Sequence, residues 1–477
     1  MGDNSLIFTF SGIRGIFGKD LNFDIAKKIA ISFGEWFDGK EKNIIIGQDT
    51  RPSGEIIKKG VFEGLIATGF NIIDVGICPT PIIIFTKNKL NIPSGIIITG
   101  SHNPQEWNGL KLLSSVTYLH NDDVKHISNR LNQVNLNNYV IKDPDIKKNV
   151  SIINPVSNYI KTLYDHLNVE KIKDINNLKV VVDTGAGSGK YATPQILKGM
   201  GCKVEVINND LLVNNLFPRE IEPIKTNLRD LIMEVWQRNF DVGFAHDCDA
   251  DRLAIIGENG TYYPEDVGLA LIAEDYLKNN VGKVEEVTFI TNLASSLMFD
   301  VIAEKYGAEV KRTPVGEVFL IEEMNKVLRE NKLKNNLILG GEGSCGGVIL
   351  PSFNSTRDGL FAAAKIVEIL VNTGEKISKL VSKLPKYYSF RKNIVINPKD
   401  TTSIINGIKQ ELIDEGEVVE QVGWDLRFTK EKDWFVLIHP SNTEPIIRVI
   451  SEAKRESLAR IYCEATAGLV NLVINRK

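Results

Sequence analysis

The chain has 477 residues, which at roughly 150 residues per domain points to three or four domains rather than one. Hydrophobic residues make up 43% and charged residues 25%, enough apolar material for ordinary cores, so intrinsic disorder is excluded as a description. A net charge of -3 and a pI near 6.2 lack the basic excess that nucleic acid or an anionic membrane selects; neither is an expected partner, and any bound anion must be held by local groups.

At the N-terminus, MGDNSLIFTFSGIRG has no basic region followed by an apolar core, and no run reaches the roughly 18 apolar residues of a membrane span. The five cysteines, at 78, 202, 248, 345 and 463, form no CxxC pair, and a reduced, cytoplasmic setting is expected. The predicted elements then repeat. NIIIGQDTRPSG leads through a helix to ATGFNIIDVG, LKVVVDTGAGSG to KGMGCKVEVIN, and VTFITNLASS to EKYGAEVKRTPVG. Gly69, Gly201 and Gly307 fall where each helix must stop, and each copy reads as a βαβ unit with parallel strands. A further strand follows in each copy: GIIIT runs into GSHNP, DVGFA into HDCDADR, and NLILG into GEGSCGG. Ligands gather beyond the carboxyl ends of parallel strands, so these three loops are the expected chemical sites. Residues 132–158, rich in Asn and Lys, read as a looser connection. After about 372 the pattern changes to a smaller α+β region with mainly antiparallel strands. The expected fold is therefore three similar mixed-sheet α/β domains, at 1–155, 156–257 and 258–372, followed by an α+β domain at 373–477.

Ser101 sits beside His102 after a strand, but neighbours in sequence seldom face each other, which weakens a nucleophile and base reading. Asp247, Asp249 and Asp251 carry a stronger signal. Three carboxylates at alternate positions lie roughly 6.6 Å apart along an extended strand, so the loop must curl to bring them to one ion. Hard oxygen ligands without His or Cys favour Mg²⁺. An EF-hand also places a Glu, here Glu258, at its twelfth position, but Arg252 stands where that loop needs Gly. Glu342 in GGEGS suits vicinal sugar hydroxyls, and Ser441, Asn442 and Thr443 offer hydroxyl, amide and backbone donors suited to a phosphate.

Together SGIRG, DTRPSG, GSHNP with NGLK, DCDADR, TPVG, GGEGS and PSNTEP resemble the α-D-phosphohexomutase superfamily over essentially the whole chain. That resemblance implies a phosphoryl group carried on Ser101 and Mg²⁺ held by the three Asp against it. It further implies catalytic help from Arg14, Lys111, His102 and Arg252. Sugar contacts would come from Thr313, Gly316, Gly341, Glu342 and Ser344, and phosphate contacts from His439, Ser441, Asn442, Thr443 and Arg448. The implied reaction interconverts hexose 1- and 6-phosphates through a hexose 1,6-bisphosphate, in a monomer or homodimer. Glucose or mannose phosphates are favoured over glucosamine phosphate. Two departures stand out. Many bacterial members have a His shortly after the sugar-loop Ser, whereas this chain runs Ser344, Cys345, Gly346, Gly347, and the phosphate loop usually opens with Arg, whereas this chain has His439. The competing classes are a non-catalytic sugar-phosphate binder, against which Ser101, the three Asp and Lys111 argue, and a Mg²⁺-dependent phosphatase, whose expected nucleophile is Asp.

Overall fold

The β-branched runs form the central strands of their sheets, because side chains branched at Cβ fit a pleated surface buried on both faces. The structure is a computed structural model and describes residues 6–141, 148–280, 282–283, 286–330, 336–397, 400–441 and 445–476. The chain forms two compact units, Met1–Gly268 with Cys345–Val381, and Leu269–Ser344 with Ser382–Lys477.

In the first unit, β1 (Ile7–Thr9), β2 (Gly12–Ile16), β3 (Asn43–Gln48), β4 (Asn71–Ile77), β5 (Ser94–Ile98), β6 (Trp107–Leu113) and β7 (Val150–Ile152) make a sheet ordered β1-β2-β6-β5-β3-β4-β7. β3 runs parallel to β4 and β5, and β6 antiparallel to β2 and β5. The helices α1 (Phe23–Trp36) and α2 (Gly54–Ala67) pack on each other and add Ile29, Phe33, Val61 and Leu65 to the core with Ile44, Ile46, Ile96 and Ile98. The helix α3 (Thr80–Lys89) follows β4. A second mixed sheet contains β8 (Lys179–Asp183), β9 (Lys203–Ile207), β10 (Val242–Ala245), β11 (Ala254–Gly257) and β12 (Tyr262–Tyr263), ordered β12-β11-β10-β8-β9.

In the second unit, β13 (Glu286–Asn292) lies parallel between β14 (Glu309–Thr313) and β15 (Asn336–Glu342). A short strand of the first unit, β16 (Gly347–Ile349), comes next in sequence. The last sheet, β17 (Tyr388–Val395), β18 (Val419–Val422), β19 (Asp425–Lys430), β20 (Trp434–Pro440) and β21 (Ile446–Ala453), is antiparallel throughout and ordered β17-β21-β20-β19-β18. The fold is thus three similar α/β domains and a C-terminal α+β domain.

The repeat is physical. β3 and β4, β8 and β9, and β13 and β14 are parallel pairs joined through a helix. Gly69, Gly201 and Gly307 sit after those helices at φ +88°, +89° and +67°, a region cheap only for glycine. β5, β10 and β15 each add parallel to the first strand of their copy, so their loops leave at equivalent carboxyl ends. One expectation needs correction. Within 132–158, Val150–Ile152 forms β7, which pairs parallel with β4; three residues are too few to show an alternation in sequence. Among the described residues one helix, Glu456–Asn475, passes for a membrane span by length and composition alone, with a mean hydropathy of 1.2. Its Cys463, Ala467, Val470 and Val473 are instead buried against the C-terminal sheet with Ile408 and Leu412.

Candidate active site

The loop after β5 is built around one buried arginine. Arg51 donates from Nη2 to the carbonyl oxygens of Ser101 (2.9 Å) and Asn103 (2.7 Å), and from Nη1 to those of Pro104 (2.7 Å) and Trp107 (2.8 Å). Its Nε meets Asp49 Oδ2 at 3.2 Å, and the same oxygen accepts from Thr99 Oγ1 at 2.6 Å. Thr99 Oγ1 accepts from the Ser101 N–H at 2.8 Å. A side chain at position 100 would meet the Arg51 guanidinium at 2.6 Å, so only Gly100 lets the loop close over it. Ser101 is left at φ +49°, a left-handed backbone that a non-glycine residue holds only when its surroundings impose it. Its Oγ lies 3.2 Å from Asp247 Oδ2.

The loop after β10 curls as its three carboxylates require, turning at Ala250 with φ +57°. Asp247, Asp249 and Asp251 are buried, and each offers an oxygen within 4.8 Å of the other two. α3 meets this loop at its N-terminus: the Thr80 N–H donates to Asp249 O at 3.0 Å, and Thr80 Oγ1 to Asp249 Oδ2 at 2.7 Å, where a helix start favours negative charge. Burial, and then the charges of Asp249 and Asp251, push the Asp247 carboxyl well above the usual range. Asp249 Oδ1 and Asp251 Oδ1 are buried and accept no hydrogen bond, which leaves acceptor atoms available to a cation. An all-oxygen set fits Mg²⁺.

Cations close the rest of the constellation. Lys111 Nζ, on β6, donates to Asp249 Oδ2 at 2.6 Å and Asp251 Oδ2 at 3.1 Å. Burial opposes its charge, but Asp249 and Asp251 outweigh it and hold the ammonium above its ordinary pKa. Arg357 Nη2 donates to Asp251 Oδ2 at 2.7 Å and Nη1 to Cys345 Sγ at 3.3 Å. Arg14, on β2, bonds Asn103 Oδ1; burial, and then repulsion from Arg252, pull its guanidinium down to about 10 against the attraction of Asp249. Arg252 Nη2 donates to His102 Nδ1 at 2.9 Å. Burial and the Arg252 and Arg14 charges keep His102 well below its ordinary pKa, so the ring is neutral with its Nδ1 lone pair taken. That nitrogen also lies 3.5 Å from Ser101 Oγ. Ser101, His102, Arg14, Lys111, Arg252 and the three Asp therefore meet within the first unit. Arg51, Thr80 and Arg357 join them without having been singled out from the sequence, although Arg51 lies inside DTRPSG.

In the second unit, Glu342 ends β15, buried, with Oε1 accepting from Asn292 Nδ2 at 3.1 Å. The Gly343 N–H donates to Ser295 Oγ at 3.1 Å, and Ser344 is half-buried. Gly341 and Gly316 have φ +154° and +138°, and Thr313 Oγ1 donates to Pro314 O at 3.0 Å. His439 is buried near the end of β20, its Nδ1 2.6 Å from Asp425 Oδ1. Arg448 stands directly across on β21, and the Ser441 N–H donates to Ile446 O at 2.9 Å. Asn442 and Thr443 lie outside the described residues.

Models of phosphoglucomutase/phosphomannomutase α/β/α domains I, II and III match residues 5–137, 157–260 and 264–388. A phosphoglucomutase/phosphomannomutase of Thermococcus kodakarensis is 36% identical over 469 residues, covering 96% of this chain and 97% of that protein. A probable phosphoglucosamine mutase of Pyrococcus horikoshii is 32% identical and covers 98% of each. Among solved structures, a phosphoglucomutase/phosphomannomutase family protein of Burkholderia thailandensis gives a TM-score of 0.81 at 25% identity, covering 99% of this chain and 98% of that one.

Proposed function

The chain belongs to the phosphoglucomutase/phosphomannomutase family of the α-D-phosphohexomutase superfamily, and from that membership we propose that it moves a phosphoryl group between O1 and O6 of a hexose through Ser101. The observation that carries this reading is the Ser101 hydroxyl, held in a left-handed turn 3.2 Å from Asp247 and beside two buried carboxylate oxygens that nothing else claims.

Phosphoserine 101 gives its phosphoryl group to the free sugar hydroxyl. The Oγ–P bond breaks, a sugar O–P bond forms, and the hydroxyl proton passes to a protein base, leaving a hexose 1,6-bisphosphate. After the sugar turns over, Ser101 Oγ takes the other phosphoryl group and the proton returns. Asp247, Asp249 and Asp251 would hold Mg²⁺, which would supply charge neutralisation for the transferring group. Lys111, kept protonated by two carboxylates, acts as a fixed cation, and Arg14, bonded to Asn103 Oδ1 of the serine loop, adds a second. Arg252 holds His102 beside the nucleophile. Glu342 and Ser344, with the backbone around Thr313, Gly316 and Gly341, bind sugar hydroxyls. His439, Ser441, Asn442, Thr443 and Arg448 bind the phosphate that is not transferring. The domains of this reading divide near 155, 257 and 372.

Glucose and mannose phosphates are our first choice of substrate. Glucosamine phosphate is the second, since relatives of similar identity carry either name. The test is a coupled assay on glucose 1-phosphate, mannose 1-phosphate and glucosamine 1-phosphate with added glucose 1,6-bisphosphate. A mutase yields the 6-phosphate; free phosphate alone would mean a phosphatase, and no turnover of any of the three a binding protein.

A further inference from the structure

We propose that Asp425 is a positioning residue for substrate phosphate: it holds the imidazole of His439 by Nδ1 and leaves Nε2 as the ring atom that meets the anion. The inference rests on the reading that the turn after β20 binds the non-transferring phosphate. Asp425 Oδ1 and His439 Nδ1 are 2.6 Å apart, both residues are at least nine-tenths buried, and a carboxylate oxygen can only accept from N–H, so Nδ1 carries the hydrogen. The register puts the pair in place. Leu426 is opposite Ile438, so Asp425 faces the His439 position across adjacent strands, and His439 is opposite Arg448 on β21. Directly opposed residues of an antiparallel sheet project to one side, so Asp425, His439 and Arg448 form a row on one face of the sheet. His439 in that row lies two residues before Ser441, whose N–H donates to Ile446 O.

An arginine opening this turn would bring its own planar fork of donors; a histidine brings one usable nitrogen, and only if its ring is aimed. One cross-strand contact, from Asp425 Oδ1 to His439 Nδ1, sets the ring. Nothing about Asp425 in the sequence marks it: it lies 14 residues before His439 and outside every motif.

The experiment uses the full-length enzyme and whichever of the three hexose 1-phosphates it turns over fastest, with inorganic phosphate as a competitive probe of the anion site. For Asp425→Ala we expect KM and the phosphate inhibition constant to rise together, about tenfold, with kcat changing far less. Asp425→Glu should recover part of the loss. In a His439→Arg background, removing Asp425 should change KM less than twofold, because the guanidinium carries its own fork of donors. Should Asp425→Ala misfold, Asp425→Asn, which keeps an acceptor, gives the same comparison with a smaller rise. Unchanged KM and phosphate inhibition in the Asp425 variants, while Ser441→Ala or His439→Ala raises both, overturns the role of Asp425 and leaves the phosphate turn standing. If Ser441→Ala and His439→Ala are also silent, the phosphate-turn reading itself is wrong.

Discussion

Ser101 is held where its hydroxyl, its backbone strain and the nearby carboxylates coincide, and its chemistry can be tested on the serine alone. Purified protein should contain a fraction heavier by one phosphate in intact-mass measurement. Ser101→Ala should lose that species and at least about a thousandfold in kcat, since nothing else in the loop after β5 offers a nucleophile so placed. Mutase turnover near the wild-type level in that variant would rule out the carrier role. Arg51 is a different case. It touches no reacting group, yet it donates to four backbone carbonyls of the serine loop at 2.7 to 2.9 Å. Arg51→Lys keeps the charge but replaces a planar fork by one ammonium, which cannot span Ser101 O and Trp107 O together. We expect kcat to fall about a hundredfold through loss of positioning, with the phosphoserine still detectable by mass; a kcat within twofold of wild type would show that the fork is dispensable. These two residues also show what sequence can carry. The three Asp announce themselves by period and by the absence of softer ligands. Arg51 acts on backbone carbonyls 50 or more positions away, and no local pattern encodes that. Thr80 and Arg357 were missed for the same reason, since their partners Asp249 and Asp251 are 169 and 106 positions distant.

Along the chain, the βαβ copies were readable because three levels agree: β-branched runs, a helix between them, and a glycine at the left-handed stop. β7 was not, because a three-residue strand in a polar stretch has no period to detect. α3 illustrates an element that works at both ends. Its first residue, Thr80, meets the metal loop, while Lys87 near its C-terminus is 3% exposed with Nζ 3.0 Å from Ser115 O. Burial pulls the Lys87 ammonium down to about 8 from 10.5. The sign follows from linkage. Below about pH 8 both folded and unfolded states hold the proton and the full penalty of the buried charge applies; between about 8 and 10.5 only the unfolded state keeps it, so stability gains as pH rises. A difference of that size corresponds to roughly 3 kcal/mol, less about 1 kcal/mol for the hydrogen bond a substitution removes. Lys87→Met should therefore raise the melting temperature at pH 7, and the advantage should shrink by pH 10. An advantage that stays constant across that range would show that Lys87 is not charged and desolvated in the folded protein.

Across the whole molecule, the division into two units gives the candidate metal site a definite footprint. Ser101, Asp247, Asp249 and Asp251 all belong to Met1–Gly268, and so do α3 and β6, which supply Thr80 and Lys111. Holding three carboxylates within 4.8 Å of one another is unfavourable, and the upward push on Asp247 by burial and its two neighbours is the mark of it. A divalent cation that binds the folded loop and not the unfolded chain relieves that repulsion, and stabilises by about 2.7 kcal/mol when present at a hundred times its dissociation constant. Hydrogen exchange read segment by segment should then slow on Mg²⁺ addition at the serine loop, the loop 246–252 and the start of α3. The helix Glu456–Asn475, which packs on the C-terminal sheet of the second unit, contributes nothing to the three-aspartate group and should change least. Asp249→Asn removes one negative charge with little change of shape, so the Mg²⁺ concentration needed for half the protection should rise at least about tenfold. The comparison needs no turnover, and it therefore separates loss of metal from loss of chemistry. If protection of residues 246–252 is the same in EDTA and in millimolar Mg²⁺, the three aspartates do not hold the cation, and the unclaimed oxygens of Asp249 and Asp251 require another partner.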